Sequence, residues 1–117
     1  MNVTIYHNPA CGTSRNALQY LRDQGITPTV IEYLKTPPDR ATLKSLLKAM
    51  SMKPGALLRR KGDIYDGLNL DRADIGDDEI IDAMLAHPIL IERPIVVAPA
   101  GTKLCRPWEK VKELVPG

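Results

Sequence analysis

The stretch from Val3 to Leu34 most constrains the fold, because its hydrophobic period changes twice. Val3, Thr4, Ile5 and Tyr6 are β-formers that end at Asn8-Pro9, the punctuation that closes a strand. Ala17, Leu18 and Leu21 then recur at helical spacing while Arg15, Asn16, Gln19, Arg22 and Asp23 stay polar, and Gly25 supplies a stop. After Pro28, the run Thr29-Val30-Ile31-Glu32-Tyr33-Leu34 reads as a second strand. Strand, helix and strand with a short return predict parallel neighbours and a right-handed crossover. The loop after Tyr6 then lies at the carboxyl end of the first strand, where α/β folds hold their sites.

The middle of the chain is helical. Asp39 can cap a helix whose Leu43, Leu46, Leu47 and Met50 share one face, and Pro54 can start a short turn through Leu58 that ends in Arg59, Arg60 and Lys61. Ile64 to Leu70 is ambiguous between helix and turn. Asp77, Asp78 and Glu79 open a helix carrying Ile80, Ile81, Met84 and Leu85, which ends near His87-Pro88. The last third is different: Ile95-Val96-Val97-Ala98 reads as a strand, Pro99-Ala100-Gly101-Thr102 as a turn and Lys103-Leu104-Cys105 as a returning strand. A final helix is expected from Pro107, with Val111, Leu114 and Val115 on one face. The order is βαβ, a helical middle, then ββα.

With 117 residues, 44% of them hydrophobic, a single domain over 1–117 is expected. A net charge of +2 with both signs interspersed argues against a nucleic-acid surface. No apolar run reaches membrane-spanning length, and Met1-Asn2-Val3 leads directly into a strand without the pattern of a secretory signal. A cytoplasmic location is the expectation, with Cys11 and Cys105 as free thiols. Two histidines and no close cysteine pair argue against a structural zinc site, and no metal is expected.

Cys11 carries the chemistry. It sits at the turn into the first helix, where the amides of Gly12, Thr13 and Ser14 offer an anion cradle and the helix dipole favours a thiolate. His7 is placed to hydrogen-bond within this loop, Ser14 to cap the helix or donate to the thiolate, and Arg15 completes the spacing His7-x-x-x-Cys11-x-x-x-Arg15. Ser14 stands where a dithiol pair would have its second cysteine, so an outside thiol must regenerate Cys11 unless Cys105 reaches it. Cys105 itself reads as a buried structural thiol. A multiply charged tetrahedral oxyanion calls for guanidinium forks. Arg93 and Arg106, each before a proline and so held extended at a strand boundary, are the best placed; Arg59 follows an apolar turn. Arg40, Arg60 and Arg72 read as solvated surface charges. Pro94, directly before a strand, is a candidate cis proline.

With these segments placed, the chain resembles the glutaredoxin-coupled arsenate reductase family of the thioredoxin fold superfamily. The resemblance runs through Tyr6-His7-Asn8-Pro9-Ala10-Cys11-Gly12-Thr13-Ser14-Arg15-Asn16, then Leu57-Leu58-Arg59, then His87 through Val97, and finally Leu104-Cys105-Arg106-Pro107. It implies an α/β fold with a thioredoxin-like βαβ…ββα mixed sheet and a helical insertion between the two units. It also implies Cys11 as nucleophile, Arg59, Arg93 and Arg106 as oxyanion ligands, and Pro94 as the fold's cis proline. The activity implied is reduction of arsenate to arsenite through a covalent adduct on Cys11, with glutathione as co-substrate, glutaredoxin as partner and no bound cofactor. Two rivals share the fold. One is a regulator similar to the Spx group that binds RNA polymerase, against which Ser14 in place of a second cysteine argues; the other is a thiol reductase acting on a different oxyanion.

Overall fold

The structure, a computed structural model, describes residues 1–117. The chain divides into two compact units, Met1–Thr36 with Arg93–Gly117, and Pro37–Glu92. The first unit holds β1 (Thr4–His7), α1 (Gly12–Asp23), β2 (Thr29–Glu32), β3 (Ile95–Ala98) and β4 (Gly101–Leu104). Its sheet has the order β2-β1-β3-β4. β1 pairs parallel with β2 and antiparallel with β3, and β4 runs antiparallel to β3. This is the thioredoxin-like mixed sheet expected, with the helical segment inserted in the chain between β2 and β3.

The sheet and α1 close over one core. Val3 and Ile5 from the β1 segment, Ala17, Leu18 and Leu21 from α1 and Val96 from β3 cluster with Cys105, Val111, Leu114 and Val115. α1 ends where the sequence stops it, with Gly25 at φ 78°, a left-handed conformation that glycine adopts without cost.

Three details of the C-terminal segment differ from expectation. The hairpin turn is the two-residue Pro99-Ala100, because Ala98 already pairs with Gly101; β4 is therefore Gly101–Leu104 and Cys105 follows it. The final helix is a 3₁₀ helix, Trp108–Glu113, and Pro107 precedes it with an extended backbone instead of opening its first turn. Trp108, Val111 and Leu114 repeat every three residues, a spacing that suits a 3₁₀ helix as well as an α-helix. This helix is held against α1 by the Tyr20 hydroxyl, which donates to the Val115 carbonyl at 2.7 Å, and by Lys112, which lies over the Tyr20 and Trp108 rings. The Arg93–Pro94 peptide is cis, and so is Arg106–Pro107, where the sequence predicted only an extended arginine.

The second unit contains α2 (Arg40–Met50), α3 (Pro54–Leu57), α4 (Asp63–Gly67), α5 (Asp77–Ala86) and a 3₁₀ turn, Pro88–Leu90. Asp39 caps α2 as its position suggests, accepting from the Thr42 amide at 2.8 Å. The ambiguous segment resolves into the five-residue α4 followed by a turn with Asn69 at φ 52°. Leu43, Leu46 and Leu47 on α2 and Ile80, Ile81 and Met84 on α5 are buried, while Arg40 pairs with Asp82 on the exposed side of the same two helices. Arg72 pairs with Glu79 and Asp74 at the surface. No helix is long and apolar enough to cross a membrane.

Leu21 is fully buried in the sheet unit and Val30 is exposed on the edge strand β2. Leu21→Ala is expected to lower the free energy of unfolding by about 3 kcal/mol, and Val30→Ala by about 0.5 kcal/mol or less. Denaturant titration of both variants checks the contrast.

Candidate active site

The sheet register brings the site together. Tyr6 on β1 lies opposite Ile95 on β3, and Ile95 lies opposite Leu104 on β4. The residues just beyond this row, namely the Cys11 loop, Arg93-Pro94 and Cys105-Arg106, therefore share one end of the sheet. Antiparallel pairing makes the start of β3 a neighbour of the ends of β1 and β4.

Cys11 is the N-cap residue of α1, with an extended backbone and no side-chain cap bond. Its own amide donates to the Asn8 carbonyl at 3.0 Å and its carbonyl accepts from the Arg15 amide at 2.9 Å, which closes the loop onto the first helical turn. The side chain is half-buried. Burial opposes ionisation of the thiol, but the backbone amide of Ser14, the Arg106 guanidinium and the backbone amide of Thr13 together outweigh it and hold the pKa below the ordinary thiol value. Arg106 Nη1 stands 3.6 Å from Cys11 Sγ and donates to the Arg93 carbonyl at 2.8 Å. One nitrogen with two hydrogens serves both partners, an arrangement a guanidinium provides at fixed geometry.

His7, Ser14 and Asn8 are buried beneath the loop. His7 Nδ1 lies 2.6 Å from Ser14 Oγ, which also accepts from the Asn8 amide at 3.1 Å. Burial pushes the His7 pKa below 6.5, with Glu32 opposing and Arg22 and Arg15 assisting. The neutral ring can accept the Ser14 proton at Nδ1, and every partner is then satisfied. Ser14 is thus not the side-chain cap of α1: its hydroxyl braces His7, and it is its backbone amide that helps stabilise the thiolate. Arg15 folds back so that Nη1 donates to the Pro9 carbonyl at 2.9 Å, bracing the loop from its exposed side. Asn8, read in the sequence only as strand punctuation, accepts the Ala10 amide at 3.0 Å and shapes the approach to Cys11.

Arg93 is 2% exposed, and its Nε donates to the hydroxyl of Tyr33 at 2.7 Å. Arg59 belongs to the helical unit, where its amide donates to the Leu90 carbonyl at 2.7 Å and its guanidinium lies 3.6 Å from a Glu92 oxygen. Cys105 is fully buried, and desolvation drives its pKa up to about 12. The structural role expected for it fits this inert thiol.

A model of the ArsC family matches residues 6–114. The chain belongs to the ArsC family. Among its relatives, a protein named arsenate reductase from Rhizobium meliloti (strain 1021) is 54% identical over 116 residues, covering 99% of this chain and 83% of the relative. An arsenate reductase from Escherichia coli (strain K12) is 55% identical over 115 residues, covering 98% and 82%. The solved structure of an arsenate reductase from Vibrio cholerae superposes with a TM-score of 0.93 at 44% identity, covering 98% of both chains. The fold, the position of Cys11 at the start of α1 and the order of the Arg-Pro segments all lie inside the matched region of this ArsC-family chain.

Alkylation by iodoacetamide is expected to label Cys11 with a pH midpoint below the ordinary thiol value of about 8.5, moved upward in Arg106→Ala, while Cys105 is labelled only after unfolding. Mass spectrometry of alkylated peptides across pH checks all three outcomes. For His7, the folded pKa lies below the unfolded value of 6.5, so the unfolded state binds more protons as pH falls. Stability attributable to His7 is therefore complete above pH 6.5 and declines as pH drops toward the folded pKa. His7→Gln is expected to flatten the unfolding free energy over that window, as read by denaturant titrations at stepped pH.

Proposed function

We propose that this chain reduces arsenate to arsenite in the cytoplasm, with electrons from glutathione and glutaredoxin. The observation that carries the reading is the placement of Arg106 Nη1 3.6 Å from Cys11 Sγ at the start of α1. It joins a nucleophile of lowered pKa to a guanidinium that recognises oxyanions. Family membership and the arsenate reductase names of its relatives support the choice of anion.

Cys11 as thiolate attacks the arsenic atom, forming a sulfur–arsenic bond while one oxygen leaves as water. Arg106, Arg93 and the amides of Gly12, Thr13 and Ser14 hold the anion and the charge that develops on it. Arg59 enters as a third oxyanion ligand on the strength of the sequence resemblance, with residues 1–117 acting as one catalytic domain. Glutathione then attacks the adduct. In total, two glutathione thiols give two electrons to arsenic, arsenite is released, and glutathione disulfide forms, with glutaredoxin handling the mixed disulfide. Cys105, buried and inert, does not supply the second thiol, which is why the reductant comes from outside.

In a coupled assay with glutathione, glutaredoxin, glutathione reductase and NADPH, arsenate-dependent NADPH oxidation is expected and Cys11→Ser abolishes it. Arg106→Ala is expected to lower kcat/KM for arsenate by about 10²–10³-fold, the loss typical of one oxyanion donor. Turnover in wild type no higher than in Cys11→Ser would overturn the proposal. Turnover with another tetrahedral oxyanion and none with arsenate would move it to the rival substrate.

A further inference from the structure

Tyr33 lies one residue beyond β2, and His7 of β1 pairs with Glu32, the last residue of that strand. The register therefore delivers Tyr33 to the same end of the sheet as the Cys11 loop and Arg93. Its side chain is 1% exposed, and its hydroxyl accepts the Arg93 Nε hydrogen at 2.7 Å across sixty positions of sequence.

We infer that Tyr33 is a positioning residue for oxyanion binding, acting through the Arg93 guanidinium. The inference rests on the reading of Arg93 as an oxyanion ligand given above. A guanidinium is planar, and a bond to Nε fixes the rotation of that plane and so the direction of the hydrogens on Nη1 and Nη2. Binding through a fork is strong only when the fork is already oriented, because the cost of ordering it is then paid in folding and not in binding. The thiolate is held by different groups: the amides of Ser14 and Thr13, and Arg106, which is anchored on the main-chain carbonyl of Arg93. Loss of the Tyr33 hydroxyl therefore separates two properties that most disturbances of this loop would change together. Oxyanion affinity falls, and the ionisation of Cys11 stays where it is.

Tyr33→Phe keeps the ring and removes only the hydroxyl. Arsenate protection of Cys11 against iodoacetamide, titrated at fixed pH without glutathione, reads oxyanion affinity independently of turnover. The half-protecting arsenate concentration is expected to rise about tenfold in Tyr33→Phe, the scale of one hydrogen bond to a charged group. The pH midpoint of alkylation without arsenate is expected to match wild type. In an Arg93→Ala background the added Tyr33→Phe change is expected to shift protection less than twofold. Unchanged protection in Tyr33→Phe overturns the inference, as does a displaced alkylation midpoint or an undiminished tenfold effect when Arg93 is already alanine. Absence of protection in wild type removes the oxyanion site itself, and this inference with it.

Discussion

A single nitrogen, Nη1 of Arg106, is bonded at once to the main chain before β3 and to the thiol after β1. That pair of hydrogen bonds is available only because β1, β3 and β4 are adjacent strands whose ends fall in one row. Had β4 returned on the other side of β1, its arginine would have been delivered elsewhere. The site thus depends on strand order more than on any local motif, and the register of the hairpin sets where Arg106 begins.

The two cysteines show how environment decides chemistry. Desolvation raises both thiols, but at Cys11 two helix-start amides and a guanidinium oppose it and prevail, while at Cys105 little does. One is a thiol favoured to ionise and the other a packing group among Val96, Val111 and Leu114. A similar division operates among the buried polar groups. His7, Ser14 and Asn8 satisfy one another beneath the loop, so the amides of the helix start point at the thiol without an unpaired polar atom behind them.

Much of the fold is legible in residue order. Local pattern placed β1 and α1, Asp39 and Gly25 marked helix ends, and the β-branched run marked β3, while the second strand, read through Leu34, pairs only as far as Glu32. The misplaced features were those for which local signals compete. Gly101 fits a turn as well as a strand end, and only pairing with Ala98 decides between them. The last helix carries an apolar face compatible with both α and 3₁₀ periods, and it is the 3₁₀ form whose end the Tyr20 hydroxyl ties to α1 through the Val115 carbonyl. Tyr33 reads as one more β-former, because nothing in its neighbours reveals that Arg93, sixty residues away, will donate to it.

By itself, the sequence determined the strand–loop–helix that sets Cys11 at a helix start, since β-formers, Asn8-Pro9 and the helical repeat act over a few residues. It also determined that Ser14 leaves the loop with one thiol. Only the tertiary structure decided which arginine touches that thiol, which serine atom faces it and which hydroxyl orients Arg93. Those contacts join residues far apart in the chain, and their geometry is set by strand order and register, which no local stretch encodes.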